Sequence, residues 1–279
     1  VGGYTYNGTD NDFALVKYDS DGTLDTTFGS SGKTTTDFGY ATDVAYALTV
    51  LDSGGILAGG YSDNGADSDF ALARYDSDGT LDTTFGISGK TTTDFGYGTD
   101  VIFDLTVLAN GKLLVGGSAH NGTDDDFALA RYDLDGTLDN TFGASGKTTT
   151  GFGYGSDVIL DLTALPDGKI VVVGYAYSST DEDFALARYH ADGSLDISFG
   201  SGGKTTTDFS DSTDKGFEVA VRVDGKLVVA GYAYNGSDYD FALARYNQDG
   251  GLDPGLTSVV TDLTDGTAYT FTVTATNSI

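Results

Sequence analysis

A seven-residue motif, Asp-Phe-Ala-Leu-x-(Lys/Arg)-Tyr, occurs five times in the chain at a constant interval. Successive copies lie 57 residues apart, and their phenylalanines are Phe13, Phe70, Phe127, Phe184 and Phe241. No insertion or deletion interrupts this spacing. Such regularity indicates one structural unit repeated along the chain, so a repeat architecture is the first possibility to consider.

One unit in the middle of the chain shows how the repeat is divided by turn residues. A strand-like apolar run covers residues 101–108, and Asn110-Gly111 is a type I′ hairpin signal before a return strand over 112–118. A third strand over 126–132 and a polar, threonine-rich strand over 147–150 follow. Four short strands joined by tight turns predict an antiparallel meander in each unit.

A four-stranded meander repeated about five times predicts an all-β fold, a five-bladed β-propeller with four antiparallel strands per blade. The 41 glycines and the lack of a helical apolar period exclude helical solenoids. The rungs of a β-helix are far shorter than 57 residues, which disfavours that fold. We therefore expect residues 1–279 to form a single propeller domain, with 254–279 as divergent closing strands.

Three stretches resemble a known family. Residues 70–86 and 127–143 share the pattern Phe-Ala-Leu-Ala-Arg-Tyr-Asp-x-Asp-Gly-Thr-Leu-Asp-x-Thr-Phe-Gly, and residues 166–175 are Pro-Asp-Gly-Lys-Ile-Val-Val-Val-Gly-Tyr. They resemble the delta-60 repeats of bacterial surface β-propellers, and the likeness extends over about residues 1–253. The resemblance implies a propeller within a large secreted protein, and it implies little about chemistry.

The last unit departs from the repeat. Leu263, Gly266 and Tyr269, followed by alternating apolar residues, resemble the last strands of a fibronectin type III domain. Such a domain needs about 100 residues, so the segment cannot form one alone.

The two ends of the chain complement each other when they are aligned with the repeat. Residues 268–273 match the first strand at 45–50, and residues 1–4 match the start of a second strand. We expect the tail to supply strand one, and residues 1–38 to supply strands two to four, of a single blade. This three-plus-one clasp would close the ring and remove its exposed edges. The same strand donated to a neighbouring copy would instead build a filament.

Composition excludes several classes of function. With 42 acidic and 14 basic side chains the net charge is −28, which disfavours nucleic acid as a partner. The chain has no cysteine, which excludes disulfides, thiol catalysis and zinc–thiolate sites. No apolar run is long enough for membrane insertion. We expect a processed piece of a secreted bacterial protein, located outside the cell or on its surface.

One position in the apolar first strand is unusual. It is Ala47 in the first copy, but Asp104, Asp161 and Glu218 in the next three. Carboxylates in apolar runs are costly unless they are paired, hydrated or bound to a cation. We expect an acidic sector beside the central channel that the first strands line. Its alternatives are a cation site, a glycosidase pair with acids about 5–9.5 Å apart, and hydrated groups that cap backbone amides.

A second candidate is a loop with regularly spaced aspartates around a glycine. Oxygen ligands in such a pattern are typical of calcium sites, so calcium is the one cofactor the sequence suggests. The alternative is a β-turn in which the side chains bind nearby amides. The candidate residues are Asp19, Asp21, Asp25, Asp76, Asp78, Asp82, Asp133, Asp135 and Asp139.

A basic residue also recurs once in each unit, on the third strand. We expect it to form a structural ion pair with a recurring aspartate. The basic residues are Lys17, Arg74, Arg131, Arg188 and Arg245.

Three functions remain open. Near-identical blades favour a non-enzymatic extracellular module for scaffolding, adhesion or self-assembly, with copies of itself or surface glycans and proteins as partners. The second function is lectin-like glycan binding, in which Tyr40, Tyr97 and Tyr154 either stack on sugars or pack between blades. The third is a glycoside hydrolase that uses the acidic sector.

Overall fold

The computed structural model describes residues 1–209, 212–253 and 258–260. These residues form 19 strands arranged in five antiparallel sheets. Within this part of the chain there is no helix that is long and apolar enough to cross a membrane. The predicted all-β repeat is therefore confirmed.

Each sheet is a meander whose strands follow one another along the chain. The first strands of the units are β4 (Asp43–Val50), β8 (Asp100–Val107), β12 (Val158–Ala164) and β16 (Asp214–Val221). The second strands are β1 (Gly2–Tyr6), β5 (Ile56–Asp63), β9 (Leu113–His120), β13 (Ile170–Tyr177) and β17 (Leu227–Tyr234). The third strands are β2 (Asn11–Val16), β6 (Ser68–Tyr75), β10 (Asp125–Tyr132), β14 (Glu182–Tyr189) and β18 (Tyr239–Tyr246). The fourth strands are β3 (Lys33–Thr36), β7 (Lys90–Thr93), β11 (Lys147–Thr150), β15 (Lys204–Thr207) and β19 (Ser258–Val260).

The strands at the start of the chain match the prediction, whereas those at its end match it only in part. Within the described residues the first sheet contains β1, β2 and β3, and β1 takes the place of a second strand as predicted. The fifth sheet has a fourth strand, β19, which pairs with β18 and which the sequence did not reveal. Residues 268–273, the predicted closing strand, lie outside the described residues. The clasp stays a prediction.

The turn after the first strand differs from the predicted one. The Gly111 amide donates to the Leu108 carbonyl at 2.8 Å, and the Leu108 amide donates to the Lys112 carbonyl at 2.8 Å. Gly111 has a φ of 82°, whereas Asn110 has no positive φ. A type I′ turn requires a positive φ at both central residues, so the type I′ prediction is wrong. The connection is longer by one residue, with the glycine at the left-handed position.

Adjacent sheets are joined through their third strands. The Tyr75 hydroxyl donates to Thr36 Oγ1, on the fourth strand of the preceding sheet, at 2.7 Å. Tyr132 reaches Thr93 in the same way, also at 2.7 Å. Both tyrosines are buried, and a buried tyrosine hydroxyl needs a hydrogen-bond partner. The repeated Tyr–Thr bond therefore fixes how one sheet lies on the next.

The recurring basic residue also connects two sheets. Arg131 Nε lies 2.6 Å from Asp139 Oδ2 in its own unit, and its Nη1 donates to the Ala191 carbonyl in the next. The guanidinium carbon lies 4.7 Å from the centre of the Phe142 ring. Arg74 and Arg188 repeat this arrangement.

Candidate functional site

Each complete first strand carries a β-bulge at the same repeat position. In β8 the register shifts between Ile102 and Asp104, which makes Phe103 the extra residue, and β4, β12 and β16 show the same shift. Gly117 lies opposite Ile102. A Cβ added at Gly117 would lie 1.8 Å from the Val101 carbonyl oxygen. The bulge therefore requires a glycine on the second strand, and it redirects the side chains that follow it.

The predicted carboxylates directly follow these bulges, and two of them reach the next sheet. Asp104 Oδ2 accepts a hydrogen bond from Leu162 N at 3.0 Å, and Asp161 Oδ2 accepts one from Val219 N at 2.6 Å. Asp161 Oδ1 also accepts from Leu162 N, at 2.9 Å. Among the described residues, strands β12 and β16 each pair with one neighbour, and no described strand lies on their other edge. Each carboxylate satisfies a backbone donor of the following sheet.

Asp104 and Asp161 share one backbone donor. The Leu162 amide donates to Asp104 Oδ2 at 3.0 Å and to Asp161 Oδ1 at 2.9 Å, so the two carboxyl groups lie side by side. Burial raises the pKa of Asp104. Burial, followed by the hydrogen bond and charge of Asp104, raises the pKa of Asp161 to about 6.

Glu218 completes the set of three, which we call the first-strand carboxylates. It is exposed, and no described residue donates a hydrogen bond to it. Burial, and then the charge of Asp161, raise its pKa. Two adjacent carboxyl groups with raised pKa values and one exposed carboxylate therefore lie on three successive first strands.

Exposed aromatic rings lie beside the same bulges. Tyr46 is 53% exposed, and the centre of its ring is 5.3 Å from that of Phe103 on the next first strand. Phe217, which precedes Glu218, is 43% exposed and lies 5.5 Å from Tyr232. Exposed aromatic surface next to a few polar groups is typical of ligand-binding sites. The sequence did not single out these rings, because the bulge that exposes them has no marker in the local sequence.

The three predicted stacking tyrosines do not form one site. Tyr40, Tyr97 and Tyr154 each lie on a separate linker between a fourth strand and the next first strand, and all three are exposed. Tyr97 packs against the loop at Gly122 of the next unit. Tyr154 lines a cleft of about 790 Å³ with Tyr177, and this cleft contains none of the first-strand carboxylates.

The aspartates of the predicted calcium loops take part in turns and ion pairs. Asp78 Oδ1 accepts from the Thr80 amide and hydroxyl, at 2.9 and 2.7 Å, and these bonds lower the pKa of Asp78. Asp82 accepts from Thr84 in the same way and pairs with Arg74. The other units repeat these bonds at Asp21 and Asp135, and at Asp25 and Asp139. Asp19, Asp76 and Asp133 open the turns, and their carbonyls accept from the turn glycines at 2.9, 2.9 and 3.0 Å.

Three solved structures resemble this chain at low similarity. An endo-arabinase from Bacteroides thetaiotaomicron matches 89% of this chain and 90% of its own, at 15% identity and a TM-score of 0.45. A GH43_12 protein from a capybara gut metagenome matches 78% of this chain and 41% of its own, at 11% identity and a TM-score of 0.37. A mannose phosphorylase from Leishmania mexicana matches 70% and 60%, at 12% identity and a TM-score of 0.34.

These neighbours correct one expectation. The sequence predicted a non-enzymatic module for scaffolding, adhesion or filament assembly, and neighbours named as an arabinase and a phosphorylase contradict that prediction. It is withdrawn. At these identities the likeness concerns the fold, and it gives no residue of this chain a role.

The family is shown by the sequence itself. No curated protein matches the chain. The family described as "Domain of unknown function (DUF5122) beta-propeller" matches residues 1–28, 53–85, 108–142, 165–199 and 224–256, which is one segment in each unit. This match confirms the repeat propeller, but neither the delta-60 name nor the fibronectin-like tail. The chain belongs to this DUF5122 β-propeller family.

Proposed function

We propose that the protein is a carbohydrate-active enzyme that cleaves glycosidic bonds at the first-strand carboxylates. The observation that carries this proposal is the gathering of Asp104, Asp161 and Glu218 on three successive first strands, beside exposed aromatic rings. Glycoside cleavage requires one protonated and one ionised carboxyl group. Asp161, whose pKa burial raises to about 6, supplies the first, and the exposed Glu218 supplies the second.

The roles follow from the different surroundings of the three groups. Asp104 and Asp161 accept from the same amide, that of Leu162, so we treat them as one unit of the site. Asp161 is the general acid because its pKa is raised to about 6. Asp104 keeps that proton in place, and exposed Glu218 acts as the base or nucleophile. The rings of Tyr46, Phe103 and Phe217 offer apolar faces to a sugar.

Replacement of either working carboxylate should abolish hydrolysis without unfolding the chain. We expect Asp161→Asn and Glu218→Gln each to lower kcat/KM by about 100-fold or more on any polysaccharide that the wild type cleaves. Reducing-sugar release from a polysaccharide panel measures this. Asp76→Asn removes an exposed turn carboxylate and serves as the charge-matched control. Equal activity in all four proteins, or no cleavage of any glycan by the wild type, contradicts the proposal.

The pH dependence of kcat/KM should follow the protonation of Asp161. Asp161 must carry its proton, so kcat/KM should fall as the pH rises through about 6. A pH–rate profile of the wild type between about pH 4 and 9 measures this limb. Asp76→Asn, which removes an exposed turn carboxylate away from the first strands, should leave the limb in place. Activity that rises through pH 6 and then stays level would exclude Asp161 as the acid.

We also propose that the sheets close into a five-bladed ring through the three-plus-one clasp. The open edge of β1 supports this, because β1 is a second strand that pairs only with β2 among the described residues. Every other second strand has a first strand on that side. Residues 268–273 in the tail match a first strand in sequence.

A further inference from the structure

A second set of aspartates, which the sequence did not single out, gathers where one sheet passes to the next. In each group one carboxylate oxygen per residue lies within 4.8 Å of the others. The three groups, which we call the junction clusters, are Asp12, Asp37 and Asp43; Asp69, Asp94 and Asp100; and Asp183, Asp208 and Asp214.

Each junction cluster combines three elements of the fold. In the second cluster Asp69 lies on the third strand β6, Asp94 follows the fourth strand β7, and Asp100 begins the first strand β8 of the next sheet. Asp69 and Asp100 are buried, and Asp94 is exposed. A ligand held by all three would therefore tie one sheet to the next.

Residues of these clusters carry buried oxygens without a hydrogen-bond partner. Asp69 Oδ1 is buried and has no hydrogen-bond partner, while its Oδ2 accepts from Asn64 at 2.9 Å. Asp69 is 7% exposed, so its side chain is more than nine-tenths buried. Asp43, Asp183 and Asp214 each have an unpartnered Oδ1 as well, and each is 6% exposed or less. An unsatisfied buried carboxylate oxygen is costly, so these atoms call for a cation.

Neighbouring donors do not remove this need. The Ser62 hydroxyl lies beside Asp43 and partly offsets the rise in pKa that burial causes, but it does not reach Oδ1 with hydrogen-bond geometry. In the first two clusters no carboxylate has an ion-pair partner among the described residues. The ammonium groups of Lys90 and Lys147 donate to the backbone carbonyls of Asp37 and Asp94, not to their carboxylates.

One further junction between sheets lies within the described residues. It shows where the second carboxylate oxygen of the third-strand aspartate points. There the three positions are Asp126, Gly151 and Asp157. Asp126 Oδ2 accepts from Asn121, and its Oδ1 lies 2.5 Å from the point where a Cβ on Gly151 would stand. The third-strand aspartate is therefore aimed at the linker position. This junction has lost one carboxylate, and it provides a natural comparison.

We propose that the three junction clusters bind divalent cations, and that calcium is the ion they fit. All the donors are carboxylate oxygens, the ligands that hard cations prefer. Calcium takes six to eight oxygens at about 2.3–2.6 Å in flexible geometry, whereas magnesium demands near-ideal octahedral geometry at about 2.1 Å and usually keeps several waters. Each bound ion joins the third strand and linker of one sheet to the first strand of the next.

The number of bound ions tests the proposal directly. The full chain, treated with chelator and titrated with CaCl₂ up to about 5 mM in a calorimeter, should bind three ions and gain several degrees in Tm. Asp94→Gly gives the second cluster the glycine that stands naturally at the Asp126, Gly151 and Asp157 junction. It should reduce the number of bound ions to two. Gly151→Asp restores the missing carboxylate and should raise it to four. MgCl₂ in place of calcium should give the smaller shift in Tm.

A further variant separates these clusters from the turn aspartates. Asp78→Asn alters a predicted calcium loop and should leave the number of bound ions at three. Three results overturn the proposal: no calcium uptake and no change in Tm, loss of an ion in Asp78→Asn but not in Asp94→Gly, or no additional ion in Gly151→Asp with its fold confirmed by circular dichroism.

Discussion

Replacement of Arg131 by alanine should cost about 3–5 kcal/mol of the free energy of unfolding. The guanidinium is buried, with its side chain 7% exposed beside an Asp139 side chain that is 4% exposed. Burial alone would raise the pKa of Asp139, but hydrogen bonds from Thr141, Lys112 and Arg131 outweigh it, and the group stays ionised with a lowered pKa. Without Arg131 this buried charge loses its nearest partner, and the Ala191 carbonyl of the next sheet loses its donor.

The repeat itself provides the control for this prediction. Lys17 occupies the same position in the first unit, and it pairs with Asp25 while its side chain is 46% exposed. An exposed ion pair contributes about 0–1 kcal/mol, so Lys17→Ala should change stability little. Urea unfolding of both variants and the wild type measures the difference.

A double variant separates the cost of the bare charge from the loss of packing. Arg131→Ala with Asp139→Asn removes both charges and should recover part of the stability that the single variant loses. Equal losses in Arg131→Ala and Lys17→Ala would show that burial of the pair does not matter. No recovery in the double variant would assign the loss to the contact with Phe142 instead.

The repeat and its strands could be predicted because their signals are local. The apolar run of β8, the glycine turn after it and the threonines of β11 all lie within one 57-residue period. The fourth strand of the last unit was missed because Ser258–Val260 lacks the Lys-Thr-Thr-Thr sequence of its equivalents. Pairing with β18 defines that strand, and its own sequence does not.

The parts of the site that escaped prediction depend on contacts between units. Asp104 was recognised as unusual, but its partner is the amide of Leu162, 58 residues further on. This is one residue more than the repeat, because the carboxylate reaches past its equivalent position in the next sheet. The junction clusters show the same limitation. Asp12, Asp37 and Asp43 recur with the period, but only the folded chain brings residues from three elements together.

Alanine in place of Gly117 should be among the most damaging single changes to one sheet, with a loss of roughly 3 kcal/mol, at the upper end for overpacking. An added Cβ would lie 1.8 Å from the Val101 carbonyl oxygen and 3.0 Å from Ile102 Cα, and both atoms belong to the backbone of the bulged strand. Backbone atoms cannot turn aside as a side chain can. Gly→Ala changes usually stabilise through the unfolded chain, so a loss must come from the folded state. Urea unfolding measures it.

Alanine in place of Gly3 tests how the two ends of the chain meet. It is the equivalent of Gly117 in the first unit, and an added Cβ meets no described atom within 4 Å. If the tail supplies a first strand over β1, that strand must bring a carbonyl oxygen to Gly3 as Val101 does to Gly117. Gly3→Ala should then destabilise the ring and lower its Tm by several degrees, and removal of residues 261–279 should abolish the difference between Gly3→Ala and its parent. Equal stability of Gly3→Ala and wild type in the full chain would mean that no strand covers this edge, because a bulged partner cannot tolerate a Cβ at this position.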